Sequence, residues 1–211
     1  MAYVLGFFAA DGSMLENSRG GHFIEFTITD RNILLLIQKE LGSNHKISIR
    51  KRVPHHSTQY RLQIGSKQFF ADLEKLGFMQ GKSKKLRMPS VPEKCIPDFI
   101  RGYFDGDGCV YFKQLQFADR KQPRWILQTV FTCGSKMFLF ELHTVLKKYG
   151  IVGGSVRNKT RGFDLSLSHK DSIALYKLMY HTIPATTLYL PRKYKIFRKA
   201  IRILYPHATV A

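Results

Sequence analysis

Two Asp-Gly steps carry the chemistry open to this sequence. Asp11-Gly12 closes the apolar segment within VLGFFAADGSM (4–14), and Asp107-Gly108 closes the one within IRGYFDGDGCV (100–110). Each segment reads as a helix ending at its aspartate, which sets a carboxylate near the negative end of the helix dipole. A divalent cation relieves that conflict. The carboxylates of Asp11 and Asp107, with the end carbonyls of Ala10 and Gly106, are hard oxygen ligands of the kind Mg²⁺ prefers. Mn²⁺ or Ca²⁺ can replace it for binding. Metal-bound aspartate pairs serve in-line phosphodiester cleavage. A single Asp-Gly would be only a turn; two at equivalent points argue for one shared site.

Helices must bring these acids together. Gly6 and Ala10 are four residues apart, as are Gly102 and Gly106, so each pair lies on one helix face. A glycine inside a helix costs about 1 kcal/mol relative to alanine. Close approach of two helix backbones compensates for it, as on small-xxx-small faces. The spacing predicts that the two helices pack on each other. Gly12 and Gly108 are expected in the left-handed conformation that ends a helix abruptly.

The rest of the chain repeats in the same order. NILLLIQKELG (32–42) answers to MFLFELHTVLKKYG (137–150), both apolar at helical spacing and both ending in Gly. TQYRLQIGSKQFFADLEKLG (58–77) answers to RGFDLSLSHKDSIALYKLMY (161–180), an alternating strand running into an amphipathic helix. Further strands are predicted at 22–29, 46–52, 110–117, 125–132 and 154–159. Each half reads as helix, two strands, helix, two strands, helix. The predicted organisation is a first repeat over 1–79, a basic, proline-containing linker over 80–94, and a second repeat over 95–211. Residues 189–204 within the last repeat form a basic closing helix, with Pro191 in its first turn.

Charge names the class of partner. Thirty-four Lys and Arg against 15 Asp and Glu give +19, a field that attracts a polyanion. Strand alternation places Lys46, Ser48 and Arg50 on one face, and Arg61 with Gln63 opposite Leu62 and Ile64. It turns Lys113 one way, and Gln114 and Gln116 the other; Arg157 and Lys159 lie on the strand over 154–159. Such basic and amide side chains read base edges in the major groove, and all of these are candidate DNA contacts. His55-His56 reads as a turn with a DNA contact or solvated role, and Trp125 as a packing residue. No apolar run reaches the length of a membrane helix. Three separated cysteines give no disulfide framework or zinc motif, so the chain reads as intracellular.

VLGFFAADG and IRGYFDGDG resemble the two copies of the motif of the LAGLIDADG homing endonucleases, and the repeat order, the SK/HK steps and the YLPRKY segment extend the resemblance along the chain. It implies an α+β fold of two pseudo-symmetric αββαββα halves, with curved antiparallel sheets forming a DNA-binding saddle and motif helices at the central interface. It implies a Mg²⁺-dependent, monomeric endodeoxyribonuclease that reads a long asymmetric site, cuts both strands across the minor groove and leaves 3′ overhangs. The motif's eighth-position acids, which bind metal, fall on Asp11 and Asp107. A basic residue near the scissile phosphate falls on Lys67 and Lys170, and Gln128 is a candidate for ordering water. The sixth motif position is Asp105 in the second copy and Ala9 in the first, a change expected to alter packing. Two alternatives share the fold: an intron maturase whose partner is intron RNA, and a DNA-binding module that does not cut. Retention of both acids favours the nuclease.

Overall fold

The computed structural model describes residues 1–50, 57–181 and 188–206. His55-His56 and the tail of the strand predicted over 46–52 lie outside the described residues. Two compact units divide the chain, Met1–Gly106 and Asp107–Ala211.

The first unit begins with α1 (Ala2–Asp11), followed directly by β1 (Gly12–Glu16), then β2 (His22–Ile28), α2 (Arg31–Glu40), β3 (Ile47–Arg50), β4 (Gln59–Gly65) and α3 (Lys67–Lys75). Its four strands form an antiparallel sheet in the order β1-β2-β4-β3. One sheet face is apolar because alternate residues are: Ile24, Phe26, Leu62 and Ile64 are buried there. Helices α2 and α3 contribute Ile33, Leu34, Ile37, Phe70 and Leu73 to the same core. Asp30 and Ser66 start these helices by accepting from the backbone N–H of Asn32 and Phe69.

The strand over 12–16 has too few alternating apolar residues to be read from sequence alone. It exists because Gly12–Glu16 pairs with β2 from Gly12↔Phe26 to Glu16↔His22.

Helix α4 (Ile96–Asp107) belongs to the first unit in all but its last residue. Its backbone crosses that of α1 with no room for side chains: a Cβ on Gly6 would strike the Phe99 carbonyl, and one on Gly102 the Tyr3 carbonyl. This is the close approach the glycine spacing predicts. Helix α1 is buried on every side (Tyr3, Val4, Phe7, Phe8, Ala9) because α4 covers one flank and β2 another. The Phe8 and Phe26 rings meet edge-on at 5.6 Å.

The second unit continues with β5 (Gly108–Leu115), β6 (Arg124–Cys133), α5 (Lys136–Lys148), β7 (Ser155–Lys159), β8 (Gly162–Leu167), α6 (His169–Tyr180) and α7 (Pro191–Leu204). Its antiparallel sheet has the corresponding order, β5-β6-β8-β7. Both units thus have the predicted ββαββα series of strands and helices, and in sequence a motif helix precedes each series. Pro191 stands in the first turn of α7. Trp125 stacks on Phe112 at 4.6 Å, the packing role expected of it.

One expectation needs correction. Gly12 is extended (φ −80°, ψ 155°), and Gly108 is not among the positive-φ glycines. The helices do not stop in a turn; each runs straight into a strand. Glycine is required at position 12 because a Cβ would collide with the Phe8 ring. Left-handed glycines instead follow α2, α3 and α5, at Gly42, Gly77 and Gly150 (φ 58°, 86° and 77°). The segment 80–94, read as a linker, has local structure of its own. It carries a 3-10 turn, Lys82–Lys84, and buries Lys82 and Leu86.

Candidate active site

Asp11 is the last residue of α1 and half-buried. The backbone N–H of Gly12 donates back to the Phe8 carbonyl, completing the helix and fixing where the Asp11 side chain begins. On α4, Gly106 faces Ala10 and Asp11: a side chain there would strike the Ala10 methyl and lie against the Asp11 carboxylate. Gly106 is thus what lets α4 pass beside the acid. Asp107, the next residue along the chain, is the last of α4 and also half-buried.

A lysine attends each helix end. Lys82, 6% exposed, donates through Nζ to the Ala9 carbonyl at 2.9 Å and reaches the Ala10 carbonyl at 3.5 Å. In the second unit Lys193, 3% exposed, donates through Nζ to the Gly108 carbonyl at 2.6 Å. Buried ammonium groups need such partners, and the negative end of a helix supplies them. The sequence reading missed both. Lys193 was detectable, because it shares a helical stripe with the buried Phe197, Ala200 and Ile201. Lys82 is one of three lysines within residues 82–85, with no periodicity to single it out.

Sheet register sets Lys67 and Lys170 a few residues along from the pairs made by Gly12 and Gly108. Gly12 pairs with Phe26 and Phe26 with Leu62, whereas Gly65 pairs with Phe23 at the other end of β2. Lys67 lies beyond that end, exposed, as the first residue of α3; Ser66 before it is the cap. The second unit has the same register: Gly108 pairs with Phe131 and Phe131 with Leu165, while Lys170 lies past the end of β8 in the first turn of α6. The SK and HK steps mark helix starts. Gln128 pairs with Tyr111 on the solvent face of the second sheet, three residues along β5 from Gly108.

Of the candidate DNA contacts, Ser48, Arg50, Arg61 and Gln63 share the solvent face of the first sheet, and Lys46 stands exposed just ahead of β3. Lys113, Arg157 and Lys159 share the solvent face of the second. Gln114 and Gln116 do not join them. Gln114 pairs with Trp125 on the opposite face, and Gln116 lies beyond β5, where its Nε2 donates to the Phe117 and Arg120 carbonyls and closes a loop.

The differing sixth motif positions have separate structural roles. Asp105 is fully buried and accepts from the Tyr3 hydroxyl at 2.8 Å, tying α4 to α1. Ala9 contributes its carbonyl to Lys82.

Among the described residues there is no group of three or more His, Cys, Asp or Glu that could hold a metal ion, and no helix is long and apolar enough to cross a membrane. The oxygen donors on offer suit a cation that keeps waters and takes phosphate ligands, as Mg²⁺ does. One feature opposes the Ala10 carbonyl as a ligand: the Lys82 ammonium is already beside it.

The family model of the LAGLIDADG-like domain matches the chain twice, over residues 1–77 and 95–177. Solved structures share the fold at low identity. The meganuclease I-SmaMI bound to uncleaveable DNA with a TTCT central four aligns with a TM-score of 0.63 and 14% identity, over 97% of this chain and 90% of that one. I-SmaMI bound to its uncleaved DNA target with calcium ions gives 0.59 and 14%, over 97% and 92%. I-DmoI in complex with DNA and Mn gives 0.55 and 18%, over 87% and 97%. No curated protein matches the sequence.

Proposed function

This chain belongs to the LAGLIDADG-like domain family, carrying the domain twice, and we propose that it is a site-specific double-strand DNA endonuclease of the homing type. In this reading Asp11 and Asp107 hold Mg²⁺, with Mn²⁺ or Ca²⁺ able to replace it for binding. The enzyme reads a long asymmetric duplex, hydrolyses both strands across the minor groove and leaves 3′ overhangs. It works as a monomer inside the cell, since one chain supplies both acids.

The observation that carries this reading is the contact of Gly106 with Asp11. A residue adjacent in sequence to the second acid lies against the first acid, and only glycine fits there. Three further observations support it. The net charge of +19 suits a polyanion. Each sheet presents basic side chains on its solvent face. Proteins of the same fold have been seen bound to uncleaveable and cleaved DNA, and with calcium or manganese.

The bound metal would supply Lewis acidity and an activated water. The chain's own groups do the remaining work. Asp11 and Asp107 fix the cation at the ends of their helices. Lys82 and Lys193, buried and bonded to carbonyls at those ends, join Lys67 and Lys170 as the cations that stabilise charge developing on a phosphate there.

Incubating a randomised duplex library with the protein and Mg²⁺, then sequencing the new ends, tests the reading. Double-strand breaks with short 3′ overhangs at one long site support it. Binding without any cut, in Mg²⁺ and in Mn²⁺, transfers the reading to a maturase or a binding module.

A further inference from the structure

The solvent face of the first sheet contains an acid that a DNA-binding surface would not be expected to keep. Glu25 lies at the middle of β2, between Ile24 and Phe26, whose side chains enter the core. Strand alternation turns Glu25 to the opposite face, with Thr27 beside it and Ser13 and Gln63 directly across in the neighbouring strands. It is nonetheless only 7% exposed. Its cover consists of the polar side chains it holds. Arg50 Nη1 approaches Oε1 at 3.5 Å and Arg61 Nη1 approaches Oε2 at 3.6 Å. The Thr27 hydroxyl donates to Oε1 at 3.2 Å, and Gln63 Nε2 reaches Oε2 at 3.5 Å. Arg61 is gripped a second time, its Nε lying 3.4 Å from Ser48 Oγ.

We propose that Glu25 is a positioning residue for sequence recognition, holding Arg50 and Arg61 as an oriented pair that reads guanine edges in the half-site under the first sheet. The inference rests on the DNA-binding reading above. A carboxylate on a face that meets phosphates reduces affinity by repulsion, and in a chain of +19 it contributes nothing needed for solubility. What it can contribute is direction. A free arginine is satisfied by any phosphate, whereas one tethered along one edge presents its remaining N–H groups in a fixed fork that fits guanine O6 and N7. The carboxylate also cancels one of the two local positive charges, which weakens contact with DNA of arbitrary sequence.

Among the described residues, the second unit has a different arrangement. The register that pairs Gly12 with Phe26 and Ser13 with Glu25 pairs Gly108 with Phe131 and Cys109 with Val130. Val130 therefore stands where Glu25 stands. The acid on that face is Asp164, which accepts from the Thr132 hydroxyl at 2.7 Å and lies 3.4 Å from Lys159 Nζ. Two faces built on one topology thus carry different recognition chemistry, as an asymmetric site requires.

The test compares wild type, Glu25→Gln and Arg61→Lys by sequencing the bound fraction of a randomised duplex library in Ca²⁺, alongside salt titrations on one arbitrary duplex. Glu25→Gln is expected to bind the arbitrary duplex more tightly, with a salt slope steeper by about one ion. It is also expected to lose about tenfold of its preference for guanine at the pairs under the first sheet. Arg61→Lys is expected to lose the same preference with no change in salt slope. A base-preference profile and salt slope unchanged in Glu25→Gln overturn the proposal alone, as does an equal loss of binding to every duplex. Failure of the wild type to bind any duplex overturns the DNA-binding reading and this inference with it.

Discussion

Lys82 Nζ donates to the carbonyl oxygen of Ala9 at 2.9 Å, from a lysine that is 6% exposed. The bond fastens the segment after α3 onto the end of the helix that carries Asp11. The second unit repeats the relationship with different means, Lys193 at the start of α7 donating to the Gly108 carbonyl. An ammonium held at each acid-bearing helix end can stabilise a phosphate as charge develops there. Lys82→Met and Lys193→Met are each expected to slow single-turnover cleavage by about 100-fold or more, while Ca²⁺-supported DNA binding changes only a few-fold. Binding and cleavage falling together would mark the lysines as structural supports.

The crossing of α1 and α4 leaves no space at Gly6 or Gly102. An added methyl group in either place meets a backbone carbonyl, which cannot rotate away. Gly6→Ala and Gly102→Ala are each expected to cost about 3 kcal/mol, the upper part of the overpacking range, despite alanine's better helix propensity. Urea unfolding would measure this. A gain in stability would show that the helices are not in backbone contact.

Tyr3 and Asp105 form a buried hydrogen bond between the same two helices, at 2.8 Å. Removing the hydroxyl in Tyr3→Phe leaves a buried carboxyl oxygen short of a donor and is expected to cost about 1–3 kcal/mol. In the cleavage assay its effect should track stability, because neither group belongs to the set proposed to bind metal. A cleavage defect at full folding would instead place Asp105 in the chemistry.

Burial raises the Tyr176 hydroxyl above its usual value of 10.0, and its hydrogen bond with Tyr194 adds to the effect, while Arg198 opposes it. A raised folded-state value means that the neutral phenol is favoured in the fold. Its contribution to stability is therefore complete below the unfolded value and is lost as pH rises through the folded one. Tyr176→Phe should flatten the decline in thermal midpoint as pH rises above the usual tyrosine value of 10.0. A decline as steep as in wild type would assign alkaline sensitivity to other groups.

Much of this was legible because two periodicities reported it. The helical spacing of Gly6 with Ala10 and of Gly102 with Gly106 announced a helix crossing, and the alternation in YRLQI placed Arg61 and Gln63 opposite Leu62 and Ile64. The two acids were visible because they repeat. Other features depend on register and packing, which leave no local pattern. Lys67 and Lys170 carry the right chemistry, but their offset along the sheet from Gly12 and Gly108 is a matter of register. Gly12 and Gly108 suggested left-handed caps, but a helix that feeds directly into a strand has no need of one. Lys82 gave no signal, since nothing in a basic, proline-containing segment marks one lysine as buried. Glu25 did give one, in the alternation of Phe23, Glu25 and Thr27, but its role emerges only when Arg50 arrives from β3.

The central claim is that Asp11 and Asp107 hold the catalytic metal. The most direct test is to measure cleavage of the selected duplex in Mg²⁺ and binding of the same duplex in Ca²⁺, for wild type, Asp11→Asn and Asp107→Asn. The account predicts that each variant retains its fold and binds the duplex within about tenfold of wild type, while double-strand cleavage falls by about 1,000-fold or more. Cleavage that persists at wild-type rates in either variant would contradict the account and reassign that aspartate to the structure of its helix end.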